Sequence, residues 1–262
     1  MFHKKNWLRS AISHRSSLKL AVSTFIFAFI LWSVLSWGGL IKAYFLPSPY
    51  SIGKAFLRMI QEQALLKDII VSCYRALAGF FLSALAAIPL GIAIGNISYT
   101  EALLGSFFSF LRYLPIPALV PLFILWFGVG DIEKLILIIV GVFFQLVLMV
   151  ADVAGNVPSS YIEVGYTLGA SQKGALRDII IPASLPGILD ALRITLGWAW
   201  AYLIVAEVVG ANRGLGFVIM RSQRFLLTAD VMVGVAIFGI LGIIFDLGFK
   251  LLYRRLFPWK QK

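Results

Sequence analysis

Apolar residues occupy this chain in long unbroken runs, and the polar residues are gathered between them. Windows of about 19 residues pick out six runs, at 18–38, 69–97, 103–127, 134–157, 184–209 and 229–252. Each is long enough to cross a hydrocarbon core about 30 Å thick. Backbone polar groups in lipid must be satisfied within a segment, so such runs are read as helices. The pattern predicts an all-α polytopic bundle of six transmembrane helices, with a basic tail at 1–17 and one membrane domain over 18–262. The first run follows basic residues as a secretory leader does. From Leu18 to Trp37, however, it is long enough to span and has no small-residue cleavage site, so it is expected to remain as the first helix.

Finer patterns lie on and between the runs. Gly79, Ser83, Ala87, Gly91 and Gly95 recur every four residues in the second run, and Ala183, Gly187, Ala191, Thr195 and Ala199 do so in the fifth. Small residues at each turn let helices approach closely in lipid; chance in a chain rich in Gly and Ala is the other reading. Pro115, Pro117 and Pro121 must kink the third run and free carbonyls that need protein or water, which places it centrally rather than against lipid. Between the first two runs, LPSPYSIGKAFLRMIQEQALLKD sets Ile52, Phe56, Met59, Ile60 and Leu66 near helical period, with Lys54, Arg58 and Glu62 opposite. This segment predicts an amphipathic helix lying at the interface.

The segment PSSYIEVGYTLGASQKGALRDIIIP, 158–182, is polar and broken by glycine. Ser160 followed by Glu163 fits a capping box that starts a helix, Gly169 fits its end, Ser171 can cap a second helix, and Pro182 is expected to stop that one. Two short helices joined at an elbow suit a groove on a soluble partner; an ordinary structured loop is the plainer reading.

Composition agrees with the runs: 60% of residues are hydrophobic, 13% are charged, and the mean hydropathy is +0.92. The net charge of +11 reads as membrane orientation and head-group contact, not as nucleic-acid binding. The dense clusters of Lys and Arg are terminal: Lys4, Lys5, Arg9, Arg15 and Lys19, then Lys250, Arg254, Arg255, Lys260 and Lys262. With six spans, both termini and the 158–182 segment are expected in the cytoplasm. The other side receives Lys42, Lys54, Arg58, Lys67, Arg75, Lys134, Arg213, Arg221 and Arg224. Cys73 has no cysteine to pair with, and His3 and His14 stand in the tail, so no metal site is expected. No phosphate-binding loop is present, because Gly53-Lys54 is followed by Ala55 and lacks its upstream glycine. No nucleophile, base and orienting group stand together, and the chain is not read as an enzyme.

Glu163, Gly169, Ile179, Ile181 and Pro182 are spaced as in the cytoplasmic signature of ABC importer permeases: E-A-A, three residues, G, nine residues, I-x-L-P. Val164-Gly165 replaces the alanines and Ile181 the leucine. Further text is similar: LPSP at 46–49, LFILWFGVGDIEK at 122–134, LGAS at 168–171, ALRITLGWAW at 191–200, VAEVVGANRGLGF at 205–217 and LYRRLFPW at 252–259. The chain thus resembles, from about residue 20 onward, the nitrate, taurine and aliphatic sulfonate branch of these permeases.

The resemblance implies a type I importer fold of the MetI-like kind in the bacterial inner membrane. Two permease copies, expected to be identical, would line the path, with two ATPase subunits carrying ATP and Mg and an extracytoplasmic binding protein delivering the solute. The helix around Glu163 to Gly169 would be the coupling helix, with Gly165, Leu168, Ala170, Ser171, Ile179 and Pro182 completing the segment. The implied cargo is a small polar anion such as a sulfonate, taurine, nitrate, bicarbonate or cyanate; a neutral or aromatic vitamin precursor is the alternative. A secondary transporter or channel is the reading from a different class, and it leaves the elbow unexplained. Candidate path residues are Arg112, Pro115, Gln145, Trp198 and Glu207, with Trp200 beside them. Arg112 could present its guanidinium to an oxyanion or pair with Glu207 or Asp152, and Asp190 with Arg193 suggests an i,i+3 pair or support for the coupling region.

Overall fold

The computed structural model describes residues 13–38, 41–62 and 64–260, so the first twelve residues of the basic tail lie outside it. Ten helices follow one another: α1 (His14–Trp37), α2 (Pro49–Glu62), α3 (Leu65–Asn96), α4 (Ser98–Leu111), α5 (Ile116–Phe127), α6 (Asp131–Gly155), α7 (Ser159–Thr167), α8 (Gln172–Gly210), α9 (Leu215–Arg224) and α10 (Thr228–Leu256). No strand occurs among the described residues. Helices α1, α3, α6, α8 and α10 are each long and apolar enough to cross a membrane, and α4 with α5 makes a sixth span broken by 79°.

That break is sharper than the expected kink. Pro115 and Pro117 lack an N–H, and Pro115 disfavours helical torsions at Leu114 before it. The chain leaves the helix after Leu111 and re-enters it in a tight turn at Ile116, with Pro117 in the first turn, where a missing N–H costs little. The span is central on one face only: Phe108, Ile116, Val120 and Phe123 are buried, whereas Phe107, Phe110, Leu125 and Trp126 are exposed.

The core is built on α3, α6 and α8, and the small-residue stripes lie where these helices meet. A β-carbon at Gly79 would stand 2.7 Å from Ile138, one at Gly91 would stand 2.6 Å from the Val147 carbonyl oxygen, and one at Gly95 would overlap the Ala151 carbonyl. The α3–α6 contact is therefore backbone against backbone, the close approach that gives helix association in lipid its van der Waals gain. On α8, Gly187 faces Val153, while Ala191, Thr195 and Ala199 are buried.

Helix α8 departs from expectation at Pro182. The helix does not stop there but runs from Gln172 to Gly210. A wider π-helical stretch at Ala175–Ile180 immediately precedes the proline, and such a turn relieves the clash of a proline ring with the carbonyl one turn back. At about 58 Å, from 39 residues rising 1.5 Å each, α8 is much longer than the hydrocarbon is thick.

Helix α2 is the expected amphipathic element, shorter than its sequence pattern because Leu66 already belongs to α3. Ala55 and Met59 are buried, Phe56 is exposed, and Arg58 of the nominally polar face turns to Asp230 of α10 at 2.5 Å. Helix α1 touches the rest only near its end, where Trp32 Nε1 donates to the Pro47 carbonyl (3.2 Å) and Ser36 Oγ to that of Leu46 (3.3 Å). Its remaining surface, including Phe25, Phe27 and Ile30, is left for lipid.

Candidate functional site

The elbow forms, though not by the capping box. Helix α7 starts at Ser159 with Pro158 in the cap position and no side-chain cap. Ser160 is already inside the first turn, so its hydroxyl cannot serve as the cap, and Glu163 is exposed. The end is made as expected, and strictly. Gly169 has φ of 88°; its N–H donates to the Tyr166 carbonyl (3.0 Å), and the Ala170 N–H donates to that of Gly165 (2.9 Å). This is a Schellman closure. An added β-carbon at Gly169 would meet nothing within 4 Å, so its torsion, not lack of space, asks for glycine. Ser171 Oγ accepts from the Gly174 N–H at 3.1 Å, capping the second arm.

Gly165 fastens the two arms. It is buried, and a β-carbon there would overlap the Ile179 δ-methyl of α8. Ala170 is half-buried, and Pro182 is exposed within α8. On the outer side, Tyr161 (56% exposed), Val164 (58%) and Leu168 (83%) form an apolar ridge at helical spacing. Three neighbouring apolar side chains on a helix so rigidly closed are suited to burial in another protein's groove.

The candidate path residues do not form one cluster. Arg112 is exposed at the end of α4, donating to Tyr113 Oη at 3.0 Å, with its guanidinium 4.9 Å from that ring's centre. Neither Glu207 nor Asp152 pairs with it. Pro115 is exposed in the break, Gln145 is half-buried on α6, and Trp198 is partly exposed beside Tyr202. Arg193 pairs with Asp246 of α10 instead of Asp190, because α10 brings a carboxylate across the helix contact.

Glu207 lines no open path within this chain: it is wholly buried at the end of the bundle opposite the elbow. Its carboxylate accepts from Ser72 Oγ (2.8 and 2.9 Å), from Arg75 Nη1 (2.7 Å) and from the Gly216 N–H (2.9 Å). Arg75 continues to the Arg213 carbonyl (2.7 Å) and to Asp131 (2.5 and 2.8 Å). Asp68 accepts from the Gly214 N–H at 2.9 Å, and Ser72 Oγ from that of Leu215 at 2.8 Å. A β-carbon at Gly214, where φ is 117°, would overlap the Glu207 carboxylate, and one at Gly216 would sit 2.6 Å from Glu207 Cβ. Beside this network Lys134, also buried, donates to the Gly130 and Gly210 carbonyls at 2.8 Å each and to Glu133 at 3.0 Å. Buried charge is tolerated in such a bundle when it is paired, and of the buried charged atoms in these two groups Glu133 Oε1 lacks a hydrogen-bond partner among the described residues. The network ties the ends of α3, α6 and α8 to the start of α9. The charge count assigns Arg75 and Lys134 to the side opposite the termini, yet both serve the interior; the available signal was that Arg75 stands well inside the second apolar run. Among the described residues, no group of three or more His, Cys, Asp and Glu is placed to hold a metal ion.

Residues 87–262 match the model of the binding-protein-dependent transport system inner membrane component family. The putative aliphatic sulfonates transport permease protein SsuC of Bacillus subtilis is 35% identical over 231 residues, covering 88% of this chain and 84% of that protein. The taurine transport system permease protein TauC of Escherichia coli is 32% identical over 245 residues, covering 92% and 89%. An inward-facing structure of the MetNI methionine ABC transporter superposes with a TM-score of 0.64 at 20% identity, over 73% of this chain and 95% of that one, and so shares the fold. An elbow closed by glycine, a bundle with one broken span and these matches have one common explanation: the chain belongs to the binding-protein-dependent transport system inner membrane components, the permease subunits of ABC importers.

Proposed function

We propose that this permease carries a small sulfonate-class oxyanion delivered by an extracytoplasmic binding protein. We further propose that it works as a pair of identical chains and that the 158–182 elbow, on the cytoplasmic side with both termini, seats in an ATPase that holds the ATP and Mg. The observation that supports the coupling role is the ridge of Tyr161, Val164 and Leu168 on a helix whose end is closed by Gly169 and keyed by Gly165 to Ile179. The cargo class rests on the printed functions of the sulfonate and taurine relatives. It is also supported by Arg112, an exposed guanidinium at the break of the α4–α5 span, which no carboxylate among the described residues neutralises.

Co-reconstitution with the partner ATPase and binding protein tests both parts. ATP-dependent uptake of labelled taurine or an alkanesulfonate, with no uptake of methionine, is the expected result. Leu168→Asp should abolish ATPase co-purification while the chain still inserts in the membrane. Uptake without ATP, or full ATPase retention by Leu168→Asp, would overturn the reading.

A further inference from the structure

The end of the bundle opposite the elbow holds nine Lys and Arg, the set that the charge count assigns away from the termini, and six Asp and Glu. Five of the six carboxylates are occupied within the chain: Asp131 and Glu207 by Arg75, Glu133 by Lys134, Asp230 by Arg58, and Asp68 by the Gly214 N–H. Glu62, exposed on α2, is the sixth. Lys42, Lys54, Lys67, Arg213 and Arg224 are exposed, and none of them makes an ion pair among the described residues.

Nine cations against six carboxylates leave three positive charges over, counting every charged residue of that end whatever its partner. Two are still left over when Arg221, whose guanidinium lies 5.8 Å from the centre of the Phe217 ring, is set aside. Such a surplus runs against the retention of Lys and Arg on the cytoplasmic side of a membrane, so orientation does not account for it. Its position is informative. Asp68 accepts from the Gly214 N–H at 2.9 Å, which sets Lys67 and Arg213, one residue before each, close together. Arg75 holds the Arg213 carbonyl at 2.7 Å, so the backbone that carries this pair of cations is fixed. Both stand over the buried Arg75–Glu207 network, where α3, α6 and α8 converge, and not on the rim that faces lipid.

We propose that this end is an electrostatic docking surface for the extracytoplasmic binding protein, which meets Lys67 and Arg213 with carboxylates on its own rim. The inference rests on the orientation proposed above, with the elbow in the cytoplasm. A positive field on one partner and a negative rim on the other raise the encounter rate and fix the register of docking more than they add to the final affinity, and salt weakens both effects. The internal carboxylates are held by the fold, so the exposed cations are left to answer a partner.

The test uses the full chain with its co-purifying subunits in nanodiscs of neutral phosphatidylcholine, and the binding protein of the uptake assay, loaded with taurine, as the probe. Association and dissociation are followed by biolayer interferometry. Raising salt from about 50 to about 300 mM should weaken docking about tenfold, chiefly through slower association. At the lower salt, Lys67→Glu combined with Arg213→Glu should weaken it about tenfold, and Lys67→Gln with Arg213→Gln by less. Neither side chain has a hydrogen bond or ion pair among the described residues, so both double variants should unfold at the temperature of the natural chain. Docking that ignores salt, or a double reversal that docks like the natural chain, overturns the proposal. So does a double reversal that changes only the retention of phosphatidylglycerol, which would assign these cations to head groups. Docking is read without uptake, so an ATP-driven importer whose docking ignores salt refutes this proposal alone.

Discussion

The δ-methyl of Ile179 occupies the space in which a β-carbon of residue 165 would stand. Fourteen positions separate the two in sequence, and the contact locks one arm of the elbow against the other. Gly165→Val should therefore force the arms apart at a cost of about 1–3 kcal/mol, the usual range for an overfilled contact. The expected result is a permease that inserts normally but loses its ATPase on size-exclusion chromatography. Gly165→Ala combined with Ile179→Val should recover part of the association, since the second change removes the methyl that the first collides with.

At Gly169 the requirement is torsional. With φ of 88° and open space around it, Gly169→Ala should weaken the elbow by about 1 kcal/mol, and Gly169→Asn by less. ATPase activity stimulated by the loaded binding protein should fall in the order Gly, Asn, Ala. Gly169→Trp adds bulk on the face proposed to meet the ATPase and should uncouple transport altogether while insertion continues.

Glu207 and Arg75 should behave as a unit. Removing one member of a buried, fully paired set leaves the other uncompensated and costs about 3–5 kcal/mol. Glu207→Ala and Arg75→Ala should each lower the thermal unfolding temperature of the detergent-solubilised chain sharply. The double variant should cost less than the two single losses added together, a coupling that only shared contact produces.

Arg112 lies outside any such network, donating only to its neighbour Tyr113 among the described residues. Arg112→Lys keeps the charge and removes the planar fork. It should assemble and unfold like the natural chain, with uptake of the oxyanion reduced about tenfold. Loss of the assembled complex would instead make Arg112 a structural residue.

What could be read in the sequence divides by the range of the physics. The spans were legible because lipid demands unbroken apolar length, and the elbow because Gly169 and Ser171 act on torsions and N–H groups within a few residues of themselves. The true start of α7 was missed because the helix begins at Ser159 behind Pro158 with no side-chain cap to mark it. Continuation through Pro182 depends on a π stretch that no local preference announces. The Arg75 network was illegible for another reason. Its partners Asp131, Glu207 and Arg213 stand 56, 132 and 138 positions away, and periodicity carries no information about which distant charges a fold will bring together.

Helix α8 runs without interruption from the elbow to Gly210, whose carbonyl Lys134 holds. Mechanically it is a lever about 58 Å long. If it pivots near its middle, a tilt of 10° carries each end through about 5 Å in opposite directions. A displacement applied at the elbow would thus be carried along the rod to the far turns. The compliant places in the rod are the π stretch at Ala175–Ile180, next to the elbow, and Pro186, which removes an N–H from the helix interior. If the elbow seats in an ATPase as proposed, stiffening the π stretch would make the lever more faithful, and loosening it would let the ATPase close while the far end stays still.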